Sequence, residues 1–331
     1  MKKTIVSALL GLALMAALPT AAYAQELVVG GQIVGIQIST EGVLVAGLGP
    51  VETAEGTRSP AEEAGIKIGD TILQIDGRKI LSAGELIDAV GALEGKSAQL
   101  TLRRDSRTLT VTVCPALSGE DQWMLGMWLR DGISGIGTVT YCDPASGTYG
   151  ALGHGISDEQ SGSALPLETG SISDAEIVSV KPGASGKPGE LNGCADLERI
   201  LGSVERNTEH GIFGHLRSFP GGQLLETGEL RIGPATILST VSGREVREFS
   251  AQITRIYKDS EGTHVMLAVT DPELTAVTGG IVQGMSGSPI LQDGRLVAAV
   301  THVFVSDPCK GYGISIYDML DAAGILEEKA A

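Results

Sequence analysis

The sequence predicts two globular domains behind an export leader: a small α/β unit over residues 30–115 and a larger, mainly β unit over 116–331. Three observations carry this reading. The chain has 331 residues, long enough for two separate cores. It holds 46 glycines and only 4% aromatic residues, which favours short strands and tight turns over long helices. Capping signals for helices concentrate in the first third, and short alternating segments fill the remainder.

The leader comes first. Lys2 and Lys3 precede an apolar run over 5–18, followed by Pro19 and then Ala22-Tyr23-Ala24. A basic start, a short apolar stretch and a small-x-small site are the parts of a secretory signal peptide over 1–24, cut after Ala24. The apolar run is short for a bilayer span, and no other segment is apolar enough to cross one. The formal net charge is −16. No cluster of Lys and Arg offers a phosphate-binding surface, so nucleic acid is not expected as a partner. The four cysteines, Cys114, Cys142, Cys194 and Cys309, form no CxxC pair, so no metal site is expected. Export permits disulfides, and four cysteines allow three complete pairings, or buried thiols, among which the sequence does not choose.

In the first domain, Ser59-Pro60-Ala61-Glu62 places a cap serine before a helix-starting proline, and Gly65 ends that short helix. Residues 70–75 alternate as a strand, and Asp76-Gly77 marks a turn. Ser82-Ala83-Gly84-Glu85 opens a second helix with Leu86, Ile87, Val90 and Leu93 on one face. Alternating runs over 99–103 and 108–113 close the unit around Asp105-Ser106. The stretch Ser59-Pro60-Ala61-Glu62-Glu63-Ala64-Gly65-Ile66-Lys67-Ile68-Gly69-Asp70, followed by Ile72-Leu73-Gln74-Ile75-Asp76-Gly77, resembles a bacterial PDZ domain. In such domains a peptide adds as an extra strand, and loop N–H groups capture its terminal carboxylate. The resemblance puts that loop at Val34, Gly35 and Ile36, with the second helix as the opposite wall. The same Val34 and Ile36 also read as core strand residues.

The second domain shows short alternating segments over 235–241, 249–257 and 264–269, which suggest a β-barrel or sandwich. One helix is expected over 195–204. Its most informative stretch is Gly284-Met285-Ser286-Gly287-Ser288-Pro289-Ile290. Glycines beside Ser286 let the backbone turn sharply and expose its hydroxyl. The N–H groups of Gly284 and Ser286 could converge on one oxygen, as an oxyanion hole requires. A hairpin around Asp293-Gly294 follows. Such a turn resembles the nucleophile region of chymotrypsin-like peptidases. It differs from the α/β-hydrolase elbow, because Ser288 stands where that motif ends in Gly. Met285 stands where chymotrypsin-like enzymes carry Asp, so activation by a newly cut N-terminus is not expected. Ser288 is the rival nucleophile.

A serine hydroxyl needs a base. Of the five histidines, His154 lies in Gly150-Ala151-Leu152-Gly153-His154-Gly155, a loop that would present its ring into a cleft. His302, soon after the nucleophile, would line the same cleft. The base needs an acid to fix its tautomer. Asp271, after the 265–269 strand, is the first choice; Asp158 and Asp307 are rivals, and Asp271-Pro272 also reads as a turn.

Taken together, Gly135 to Thr140, Gly150 to Ile156, Asn207 to Gly214, Gly280 to Ile290 and Ala299 to Val305 make the chain similar to the SpoIVB serine peptidases of endospore-forming bacteria. That resemblance implies a PDZ domain followed by a chymotrypsin-like β-barrel serine peptidase, with a catalytic triad at His154, Asp271 and Ser286 and no metal or organic cofactor. It further implies export into the space between the two forespore membranes. It implies self-cleavage, then cleavage of a membrane-anchored regulator that restrains an intramembrane metalloprotease. The rival from another class is a catalytically inactive exported PDZ adaptor.

Overall fold

In the computed structural model the described residues are 24–104, 107–157, 165–218 and 221–326. The expected leader therefore lies outside them, as do the Asp105-Ser106 turn and Asp158. The chain is mainly β. Six strands, Gly233–Thr240, Val246–Asp259, Gly262–Val269, Lys310–Ser315, Arg295–Val303 and Pro289–Gln292, close into a barrel in that spatial order. Its interior is filled by inward-facing residues such as Ile237, Phe249, Ile253, Val265, Leu267, Ile290 and Val300. The expected hairpin around Asp293-Gly294 is there, with Pro289 opposite Ala299 and Gln292 opposite Arg295.

Among the described residues, thirteen further strands form one large sheet, and Val51–Thr53 with Gly56–Arg58 and Ala116–Leu117 with Trp123–Met124 form two small two-stranded sheets. The spine of the large sheet is two antiparallel strands of sixteen residues each, Ile33–Leu48 and Met127–Cys142. Their ends lie in different units. Along Ile33–Leu48, Ile33 enters the core of the closed barrel, Val34, Ile36 and Ile38 enter a second core with Val139, Tyr149 and Ile172, and Val43 and Val45 enter a third core with Ile72, Leu86, Leu100 and Leu102. That third core is the expected α/β unit. It carries the helices Pro60–Glu63 and Ala83–Gly91 and the hairpin of Ala98–Arg104 with Arg107–Val113. Ser82 caps the longer helix by accepting from Glu85 N at 3.1 Å. Ser59 makes no such bond, and Glu63 instead accepts from its N–H at 3.3 Å.

The α/β unit is therefore inserted between two strands of the peptidase part rather than standing wholly before it. Residues 33–39 pair with 132–138, and the register between the strands shifts between Arg130 and Gly132, where the unit joins. The boundary expected at residue 30 thus moves inward, because Ile33 is buried in the barrel core and Val34, Ile36 and Ile38 are buried in the core with Val139, Tyr149 and Ile172.

The helix expected over 195–204 is instead part of the strand Glu190–Ser203, which pairs along its length with Thr169–Lys181. Its helix-forming residues lose to that ladder: Leu191 and Leu201 are buried while Leu197 stays 62% exposed. The four cysteines are unpaired thiols.

Candidate active site and peptide groove

The nucleophile turn sits between the closed barrel and the strand Met127–Cys142, and that strand grips it. Thr138 donates from N to the Ser286 carbonyl at 3.0 Å and from Oγ1 to the Gly284 carbonyl at 2.9 Å. Thr140 Oγ1 donates to the Gly287 carbonyl at 2.7 Å. Three carbonyls of the turn are thereby held toward the strand. Among the described residues, the N–H groups of Gly284 and Ser286 donate to no protein acceptor, so both are available to a substrate oxygen. Gly287 has φ +93°, and a side chain there would strike the Thr138 carbonyl and Leu152 N, which is why the turn needs glycine at this place.

Ser286 Oγ donates to the Thr301 carbonyl at 2.7 Å. Ser288 is fully buried and bonds Ser239 Oγ at 3.0 Å inside the barrel, which removes it as a nucleophile. His154 lines the same cleft. Leu152 and Gly153 both have positive φ, +70° and +69°, and this paired left-handed bend aims the next side chain. The loop is braced from behind by Asn207. Its Oδ1 accepts from Ile156 N and its Nδ2 donates to the Ile156 carbonyl, both at 2.8 Å.

His154 Nδ1 lies 2.8 Å from the Gly155 carbonyl. A carbonyl only accepts, so Nδ1 carries the hydrogen and Nε2 keeps the lone pair that a base uses. Burial pushes the His154 imidazole down to about 4; the Gly155 bond opposes this, and neighbouring His302 adds to it. His302 does line the cleft, its ring 4.6 Å from that of His154, and burial lowers its affinity for a proton as well. His210 lies in a turn, His215 pairs with Glu205, and His264 pairs with Asp259.

Asp271 is not where the triad expectation puts it. Its Oδ1 accepts from Glu273 N at 2.9 Å and Leu274 N at 3.0 Å, and its Oδ2 accepts from Ser250 N at 3.1 Å. It is the N-cap of the helix Pro272–Thr278 and does not line the cleft. The turn reading of Asp271-Pro272 therefore describes its position, since proline at the first helical place selects a cap in front of it. These amide donors, that of Leu274 foremost, hold its carboxyl below the usual range. Rival Asp307 is engaged with Lys310 at 2.9 Å.

The peptide loop expected at Val34, Gly35 and Ile36 is also displaced. Both edges of this segment are taken, by residues 135–137 on one side and 172–174 on the other, and Val34 and Ile36 are buried. A passing peptide has no free edge there. The α/β unit has another one. Met127–Arg130 pairs with 44–48 on one edge, and among the described residues no strand pairs with its other edge. The helix Ala83–Gly91 packs against this segment and against Trp123–Met124. Just before it, Gly126 has φ +74°, and the N–H groups of Leu125 and Gly126 donate to no protein acceptor among the described residues. The carbonyls of Leu125 and Gly126 are tied to Ala61 N and Gly49 N, at 2.9 and 3.0 Å. Fixed carbonyls behind and free N–H groups in front make an anion-accepting turn. In the sequence, Leu125-Gly126-Met127 has the same apolar-Gly-apolar form as Val34-Gly35-Ile36.

A serine in a glycine turn with two free amides, sharing a cleft with a neutral histidine and joined to an α/β unit of PDZ type, defines a PDZ-bearing serine endopeptidase. The comparisons with known proteins agree. The family model described as SpoIVB peptidase S55 matches residues 121–320, and a PDZ model matches 53–104. The chain belongs to the SpoIVB peptidase S55 family.

Two curated relatives match over short stretches. Serine protease HTRA1 of Xenopus tropicalis is 39% identical over 57 residues, 17% of this chain and 12% of that protein. A protein of Clostridium perfringens described as a zinc metalloprotease is 35% identical over 69 residues, 21% of each chain. The chain thus spans about a fifth or less of the length of these relatives. Among solved structures, the active form of the Rv3671c protease from M. tuberculosis is 13% identical with a TM-score of 0.34, covering 58% of this chain and 75% of that one. The PDZ domain of a Listeria monocytogenes SdrC-like protein is 20% identical with a TM-score of 0.23, covering 28% of this chain and 93% of that one.

Proposed function

We propose that this chain is an exported endopeptidase that cleaves itself and then a membrane-anchored regulator of an intramembrane metalloprotease, within a sporulation signalling pathway. The observation that supports it best is the convergence of Ser286, the neutral His154 and the free Gly284 and Ser286 amides on one cleft. Export rests on the leader over residues 1–24, and location between the two forespore membranes rests on the family. Peptides with a free C-terminus would dock along Met127–Arg130, their carboxylate on the Leu125 and Gly126 amides.

The chemistry is acyl transfer. In the resting arrangement Ser286 Oγ donates to the Thr301 carbonyl. Substrate entry turns the hydroxyl toward His154 Nε2, which takes its proton as Oγ attacks the peptide carbonyl. The amides of Gly284 and Ser286 hold the oxyanion. His154 then protonates the leaving amine, and water, activated by the same ring, releases the acyl group. The Gly155 carbonyl holds the Nδ1 hydrogen throughout and so fixes the tautomer.

The test is mass spectrometry of purified wild type and Ser286→Ala, each incubated alone. Fragments from the wild type only are expected. Fragments from both would remove Ser286 as the nucleophile, and fragments from neither would favour the adaptor reading or an enzyme that waits for a PDZ ligand.

A further inference from the structure

We infer that this peptidase selects substrates by an apolar side chain on the residue whose carbonyl Ser286 attacks, and that Val282 and Val303 set this preference. The inference rests on the peptidase reading above and adds the substrate class. Its starting point is the direction of the reaction. The leaving amine must point at His154 to receive a proton, and the carbonyl oxygen must point at the amides of Gly284 and Ser286. The acyl half of the substrate therefore extends away from the amine side, through the cleft that Ile281, Val282, Val303 and Val305 help to line.

Among the described residues, the lining of that cleft includes no Asp, Glu, Lys or Arg. The cleft of about 470 Å³ has Pro188, Ile281, Val282, Val303 and Val305 among its aliphatic lining, with Gln283, Thr301 and His302 as polar members of the same segments. Ile281 and Val282 are 2% exposed, fixed at the base, while Val303 is half-buried and Val305 is open at the rim. The polar backbone groups beneath them are largely committed. Ile281 N donates to the Pro308 carbonyl at 2.8 Å, Gln283 N to the Gly189 carbonyl at 3.0 Å, and Met285 N to the Val282 carbonyl at 3.1 Å. A charged side chain entering here would lose water and meet no carboxylate, ammonium or guanidinium of opposite sign among these residues, whereas an aliphatic or aromatic one would bury its surface against four aliphatic side chains. Replacing an apolar residue at this substrate position by Lys, Arg, Asp or Glu should lower kcat/KM on the order of 100-fold.

The experiment digests a peptide library, derived from a whole proteome, with the full chain and reads the residue before each cut by mass spectrometry. A fluorophosphonate probe reports in parallel whether Ser286 is nucleophilic. The expected result is probe labelling together with cuts concentrated after Leu, Ile, Val, Met or Phe. A Val303→Asp variant, which places a carboxylate at the half-buried rim rather than the base, should still be labelled and should shift cuts toward Lys and Arg. Labelled wild type that cuts after charged residues as often as after apolar ones would overturn the inference and leave the peptidase reading standing. Labelled Val303→Asp with an unchanged preference would overturn the assignment of Val303. No labelling of the wild type would remove the peptidase reading, and this inference with it.

Discussion

The two halves of the strand Ile33–Leu48 meet their surroundings differently. In the peptidase half, residues 34–36 are hydrogen-bonded on both edges and their side chains are core. In the PDZ half, residues 44–48 pair with Met127–Arg130, and among the described residues no strand pairs with that partner's other edge, beside a helix. The lesson is that an apolar-Gly-apolar motif on a strand says little about peptide capture. What matters is whether the neighbouring edge is free and whether the preceding turn has amides to spare. Gly35 is small because Ala195 and Ser173 crowd it, whereas Gly126 is glycine because its backbone is left-handed and the Gly49 carbonyl lies against it. The same strand that offers the open edge also grips the nucleophile turn through Thr138 and Thr140, so the two regions share a backbone.

The largest expected effect tests the catalytic end of that shared strand. His154→Ala should lower cleavage by about 10⁴-fold or more while leaving thermal unfolding nearly unchanged, because the ring contributes little to any core. Activity of the wild type should follow the neutral ring. Protonation silences the base, and with a pKa pushed down to about 4 the acid limb should lie near pH 4 rather than near the ordinary histidine value of about 6.5. A pH–rate profile for kcat/KM checks this, and a limb near pH 6.5 would mean that a carboxylate or solvent reaches the ring in the working enzyme.

The next pair of variants separates the two glycine motifs. Ile36→Ala removes a buried side chain from the core with Val139 and Ile172 and should cost about 2–4 kcal/mol of stability. The folded fraction should keep its affinity for a peptide ending in a free carboxylate. Gly126→Val should do the reverse, abolishing capture of that peptide by straining a left-handed turn, with unfolding shifted by about 1–2 kcal/mol. Fluorescence polarisation with a labelled peptide, read beside denaturant melts, reports both quantities. Peptide capture lost in Ile36→Ala but kept in Gly126→Val would return the groove to Val34–Ile36.

Much of this was legible beforehand because it is local. The Ser82 cap, the Asp293-Gly294 hairpin and the glycine turn around Ser286 are fixed by a few adjacent residues, and the structure has each of them. The strand Glu190–Ser203 is not legible in its own residues, because its pairing with Thr169–Lys181 is a tertiary fact that overrides helix propensity. The insertion of the PDZ unit was hidden for a related reason: a strand of sixteen residues that feeds three cores looks, in sequence, like two strands of one domain. Thr138 and Asn207, which hold the nucleophile turn and the histidine loop, carry no chemical signature of their own. They were visible only as parts of Gly135 to Thr140 and Asn207 to Gly214, stretches picked out by family likeness.

Asp271 gives the smallest expected effect and the sharpest contrast with the triad expectation. Its carboxylate accepts three backbone N–H bonds, two of them at the start of the helix Pro272–Thr278. Removing a cap of this kind costs about 1 kcal/mol. Asp271→Ala should therefore lower the unfolding midpoint modestly, and Asp271→Asn, which keeps a capping oxygen, should restore most of the loss. The stabilisation should also depend on pH. The native carboxyl is held below its unfolded pKa, so its contribution is present above that unfolded value and fades as pH falls through the lower, folded one. Cleavage per folded molecule should change little in either variant, because His154 already has its Nδ1 hydrogen on the Gly155 carbonyl. A large fall in kcat for both variants, with unfolding unchanged and the acid limb of the pH profile moved, would put Asp271 back on His154 and require the segment 270–274 to reach the cleft during turnover.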